Sequence, residues 1–159
     1  MQFIEASIDI DAPIHEVWRI LSDGDHYADW NPFITVVAGD LQLGARPTLR
    51  LAPPGKKAMT FRPRIIDASP SAGLRWQGRL LLPGLCDATH EFRLSAESPR
   101  RTRLTQSETF RGILLPMLGS MLEPTRRGFI DMNEALRRRV ESLHDSVEQN
   151  SARGRTTGA

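Results

Sequence analysis

Ile4, Ala6, Ile8 and Ile10 alternate with Glu5, Ser7 and Asp9, the two-residue period of a strand with one buried face. Asp11-Ala12-Pro13 stops that run, and Pro13 behind the capping-type Asp11 opens a short helix. Its apolar positions Ile14, Val17, Trp18 and Leu21 form one stripe. Ser22-Asp23-Gly24-Asp25 closes it, and a second brief helical turn is expected around His26-Tyr27-Ala28, ahead of Trp30-Asn31-Pro32.

From Phe33 to about Gly112 the pattern is strand and turn. Phe33–Ala38 is a β-branched run closed by Gly39-Asp40, and Arg46–Leu51 is closed by Pro53-Pro54-Gly55. Ala58–Ala68 sets Met59, Phe61, Pro63 and Ile65 against Thr60, Arg62 and Arg64, and Pro63 calls for an edge position or a bulge. Leu74–Leu82 carries Trp76, Leu80 and Leu82 on one face, and Pro83-Gly84 turns the chain. Two further strands, about Cys86–Ala96 and Thr102–Arg111, flank Ser98-Pro99-Arg100, so the middle of the chain reads as an antiparallel meander.

The period then changes. Leu118, Leu122, Thr125, Phe129, Met132, Leu136, Val140 and Leu143 recur at steps of three and four, which predicts a long amphipathic helix. Pro116 suits its start, and Pro124 should either kink it or mark its true beginning. Residues 149–159 carry no apolar payload and read as a disordered tail after a single domain over 1–148. The order of elements predicts an α+β domain: one curved sheet with one apolar face, covered by the only helix long enough to do so. A strongly twisted sheet around one helix leaves a space between them unless large side chains fill it.

Composition narrows the classes of function. The 159 residues are long enough to close a core without staples, and the single Cys86 excludes an internal disulfide framework and a cysteine metal cluster. No apolar run approaches the ~20 residues that cross a bilayer, so stable membrane insertion is not expected. The first residues show no basic region followed by an apolar stretch, which makes the cytoplasm the expected compartment. Of 21 basic residues only Lys56 and Lys57 are lysine, and the 19 acidic residues leave a net charge of +2. The arginines scatter apart from Arg100-Arg101, Arg126-Arg127 and Arg137-Arg138-Arg139, so no nucleic-acid partner is expected. A homodimer stays open.

Ala12–Asp23, followed by Tyr27, Trp30-Asn31-Pro32 and Phe33, resembles the start of the SRPBCC superfamily, the polyketide cyclase/dehydrase and lipid-transport group related to START domains. Leu74–Gly78, Thr105–Phe110 and Gly128–Leu136 resemble the same group, and together these segments span the chain to about residue 145. The resemblance implies a helix-grip fold: a seven-stranded antiparallel sheet curled around a long C-terminal helix, two short helices after the first strand, and a hydrophobic tunnel. It further implies a small apolar or amphipathic ligand. Members include cyclases, hydrolases, lipid carriers and chaperone-activator domains, and fold alone does not choose among them.

Strand arithmetic supplies the sharpest candidate for chemistry. If the turn near Ser98-Pro99-Arg100 joins adjacent strands, positions summing to about 198 face each other: His90 opposes Glu108, Phe92 opposes Gln106 and Leu94 opposes Leu104. Phe92, Leu94, Leu104 and Phe110 mark that face as the inner one, so His90 and Glu108 should point together into an apolar interior. Such a pair can work as acid and base, can anchor a ligand's polar head, or can merely satisfy itself.

Met59, Phe61 and Trp76 from the strands and Met117, Met121, Phe129 and Met132 from the helix are expected to line the same interior, as core or as pocket wall. Trp30 and Phe33 are expected at its mouth or as hinge packing. His15, His26, His90 and His144 lack metal-ligand spacing, and no cofactor is expected. The leading expectation is a carrier or sensor of a small hydrophobic ligand. The alternatives are a cyclase/dehydrase- or hydrolase-type enzyme using His90 and Glu108, and a protein-interaction module of chaperone-activator type.

Overall fold

A computed structural model describes residues 1–80, 86–113, 116 and 119–156. Among the described residues, eight strands and three helices run in the order β1 (Gln2–Ile10), α1 (Ile14–Leu21), a 3-10 turn (Gly24–His26), α2 (Tyr27–Trp30), β2 (Ile34–Ala38), β3 (Thr48–Leu51), β4 (Met59–Phe61), β5 (Arg64–Ser69), β6 (Gly73–Leu80), β7 (Cys86–Ser98), β8 (Arg101–Arg111) and α3 (Gly119–Thr156). The α+β class and the two short helices after β1 are as expected. The seven-stranded count is corrected to eight, because the expected Ala58–Ala68 strand is cut into β4 and β5 at Arg62-Pro63. A proline in that run cannot donate to a ladder. The cut also divides the sheet: β1-β8-β7-β6-β5 form one, β2-β3-β4 the other, and every pairing is antiparallel. The two are stitched by backbone bonds at Ile65, whose carbonyl accepts from Gly44 and whose N–H donates to Ala45, both at 2.9 Å.

The inner faces close over α3. Ile10, Leu74, Phe92 and Leu104 from the sheet and Phe129, Met132, Leu136 and Val140 from the helix are buried together. At Gly128 a side chain would run into the Phe33 ring, so glycine is what lets α3 approach that aromatic closely. Pro124 lies inside α3, which therefore begins before it, at Gly119. The helix continues to Thr156 through most of the stretch expected to be a disordered tail. Extending a helix already formed costs far less than nucleating one, so a polar segment can follow an anchored one. Residues 157–159 of that expected tail lie outside the described residues.

Polar contacts fix how the layers meet. The Asp11 side chain does not cap α1. Its backbone N–H instead donates to Glu141 Oε1 at 3.0 Å, and His144 Nδ1 sits 2.9 Å from Glu16 Oε2, so α3 is tied to the start of α1 at two points. Asn133 Nδ2 donates to the Ala6 carbonyl at 3.3 Å on the outer edge of β1.

At the surface, Arg103 and then Arg101 hold the Asp9 carboxyl down to about 2 from its ordinary 3.8. A carboxyl depressed on folding stabilises above its unfolded pKa and loses that contribution as pH falls through the folded value. Asp9→Asn should therefore flatten the loss of stability between the ordinary carboxylate range and about 2, a small effect at an exposed site, measurable as denaturation midpoint against pH.

Candidate functional site

His90 in β7 pairs directly with Glu108 in β8, as the turn arithmetic requires. On one side His90 faces Trp76 of β6, and Glu108 faces Ile4 of β1 on the other. One inner row thus runs Trp76–His90–Glu108–Ile4. His90 is 3% exposed and the Glu108 side chain 12%. His90 Nδ1 lies 3.9 Å from Glu108 Oε2, facing it but too far for a direct hydrogen bond.

Gln106, one row deeper and opposite Phe92, fixes the other side of the imidazole. Its Nε2 donates to His90 Nε2 at 3.3 Å and also reaches Met132 Sδ at 3.7 Å. With Nε2 accepting, a neutral ring carries its proton on Nδ1, the nitrogen turned toward Glu108. Gln106 is fully buried, and its Oε1 has no partner among the described residues. Sequence reasoning placed Gln106 on the inner face but gave it no role. The signal was there: a glutamine on the same inward face as Leu104 and Phe110 needs a partner inside.

Aromatic rings enclose the imidazole. Trp76 stacks on it at 4.5 Å with an interplanar angle of 5°, and Phe92 and Phe129 approach at 4.6 Å and 5.0 Å. Phe33 meets Phe129 edge-on at 5.6 Å. Trp76, Phe92, Phe129 and Phe33 are fully or almost fully buried in ring-to-ring contact and Met132 is fully buried too, so this deep part of the expected tunnel is filled by its own side chains. Alternation identifies the face a side chain points to, not how far it reaches across.

The remaining expected residues separate. Phe33 is core and not mouth. Trp30 is half-buried against Tyr27 at 5.0 Å, the hinge-packing arrangement. Met59 shares the face of Phe61, Leu49 and Leu51 but is 41% exposed, because β4 is an edge strand of the smaller sheet. Phe61, Phe110 and Met121 are partly buried. Met117 lies outside the described residues. Among those residues no group of three or more His, Cys, Asp or Glu is placed to hold a metal, and no helix is long and apolar enough to cross a membrane.

One step from the His90–Glu108 row the inner face loses its bulk. Gly78 faces Ala88, and Ala88 faces Phe110. The Phe61 ring of β4 lies over Gly78, about where a side chain would begin, and Ala88 remains partly exposed. The dyad therefore sits between a packed aromatic floor and a shallow, small-residue step.

Comparison with known proteins agrees with this architecture. The family described as polyketide cyclase / dehydrase and lipid transport matches residues 1–148. The solved structure of the Zhui aromatase/cyclase from Streptomyces sp. R1128 is similar at a TM-score of 0.69 and 19% identity, over 88% of this chain and 93% of that one. A START superfamily protein from Mycobacterium smegmatis gives 0.71 and 18%, over 89% and 98%. DynU16, from the dynemicin biosynthetic locus, gives 0.66 and 20% over 89% of this chain, which spans only 48% of DynU16. At these identities the structural likenesses establish the helix-grip fold alone. A search of functionally curated proteins gives no significant match. On the match over residues 1–148, this chain belongs to the polyketide cyclase/dehydrase and lipid-transport family, an SRPBCC-type protein.

Proposed function

We propose that the chain binds a small hydrophobic or amphipathic molecule, as carrier or sensor, at the open end of the space between the sheet and α3. The observation that carries this reading is the Gly78–Ala88 step beside the dyad, where the strands themselves offer no side chain larger than a methyl group and the Phe61 ring forms a wall over it. An apolar body seated there would meet Phe61 and Phe110, with Met121 and Leu122 offered from the helix. Its polar head would meet Glu108, the more exposed member of the pair. His90 acts from behind: its ring is sandwiched and Nε2 is occupied by Gln106, so it holds the carboxylate's side of the site and does not touch the ligand.

A second reading, an enzyme of the cyclase/dehydrase kind, is favoured by one feature. Nδ1 and Oε2 face each other at 3.9 Å, a spacing at which a reacting hydroxyl could lie against both as Glu108 takes its proton. The test is thermal denaturation with hydroxylated naphthalenes and anthraquinones. A bound ligand raises Tm, because it stabilises only the folded state. Ala88→Phe should fill the step and abolish that rise, leaving the unliganded Tm close to wild type. No rise with any of these compounds, or a rise that survives Ala88→Phe, would overturn the assignment. Turnover lost in Glu108→Gln with the Tm rise retained would select the enzyme.

A further inference from the structure

The opposite face of the larger sheet, turned away from α3, carries a cavity of about 390 Å³, within the ~300–1,000 Å³ range of small-molecule sites. Its floor is a row of neutral hydrogen-bonding groups held in register: Gln77 faces Thr89, Thr89 faces Thr109, and Thr109 faces Phe3. The Phe3 ring ends that row and is 56% exposed, although most large apolar side chains of the chain are buried. One rim pairs Arg75 with Glu91, and the other pairs Asp87 with Arg111. The lining thus sets two guanidinium groups against two carboxylates and is balanced in formal charge, with Asp87 Oδ1 further held 3.6 Å from Arg79 Nε on its other side.

That balance decides the ligand class. A phosphate or carboxylate drawn to Arg75 or Arg111 would also meet Glu91 or Asp87, and an apolar body would leave the threonine hydroxyls and the Gln77 amide unpaired. Arg75 and Arg111 line the cavity beside Thr89, Thr109 and Ser107, so charged donors and neutral hydroxyl groups share one surface. A molecule dense in hydroxyl groups, each both donor and acceptor, fits carboxylates, guanidinium groups and threonines alike. Its C–H face would lie against the exposed ring of Phe3. We propose that this outer-face cavity binds a neutral polyhydroxylated ligand, a mono- or disaccharide, with Phe3 as the platform and the Gln77–Thr89–Thr109 row as the polar floor. The site lies back to back with the His90–Glu108 row on the same strands and does not depend on it.

Amide correlation spectra of the full chain, titrated with glucose, N-acetylglucosamine and maltose, test the assignment, with glycine and sodium phosphate as zwitterion and anion. At least one sugar should give saturable millimolar shifts at residues 3, 75–77, 87–91 and 107–111. Phe3→Ala and Thr109→Val should each weaken that binding at least fivefold without changing Tm. Saturable binding of glycine or phosphate but of no sugar would overturn the proposal. So would sugar shifts that survive both substitutions, or no saturable shift with any sugar.

Discussion

Phe129→Ala should cost about 3–5 kcal/mol, the range for removing a fully buried aromatic from a core that relaxes only in part. Phe129 is fully buried where three elements meet: its ring faces Phe33 at the start of β2 and His90 on β7, and it belongs to α3. Deleting it opens a void beside the imidazole and removes the contact that docks the helix on both sheets. The loss should appear as a lower urea midpoint with an unchanged slope. Phe129→Leu keeps most of the volume without the ring, so the difference between the variants reports the edge-on contacts, about 0.5–1.5 kcal/mol each.

Asn31→Ala should be nearly as damaging for a different reason. Asn31 is buried, and its Oδ1 accepts from the backbone N–H of both Phe33 (2.9 Å) and Ile34 (2.8 Å) as the chain turns from α2 into β2. Truncation leaves two buried donors unpaired at about 1–3 kcal/mol each, so a total of about 2–4 kcal/mol is expected once local relaxation is allowed. Asn31→Asp keeps an acceptor in place and should lose less at neutral pH. Equal losses in the two variants would show that the hydrogen bonds are not what Asn31 contributes.

These two positions show how far the sequence can be read. Trp30-Asn31-Pro32 is legible only as the segment between the second helical turn and the next strand, whereas the Ser98-Pro99-Arg100 turn sets the register that pairs His90 with Glu108. Helix periodicity places Phe129, Met132, Leu136 and Val140 on the buried stripe. Other features depend on distances no pattern contains. Whether Trp76, Phe92 and Phe129 line a tunnel or meet across it depends on the curl of the sheet. Whether Met59 is buried depends on what covers the edge strand it sits on. Asn133 and Gln106 sit at inward positions as polar exceptions, and only their partners, the Ala6 carbonyl and the His90 ring, explain them.

The break at Pro63 leaves a line along which the clamp can fold. β4 and β5 belong to separate ladders, and the stitch between the two sheets is the pair of bonds at Ile65. A rotation about that pin would leave the rungs of both ladders intact but would pull the buried Ile34 and Leu49, with Phe61, away from the rest of the core. The smaller sheet is therefore held down chiefly by the burial of its side chains and not by ladder hydrogen bonds, so core substitutions at Ile34 or Leu49 set how readily it loosens.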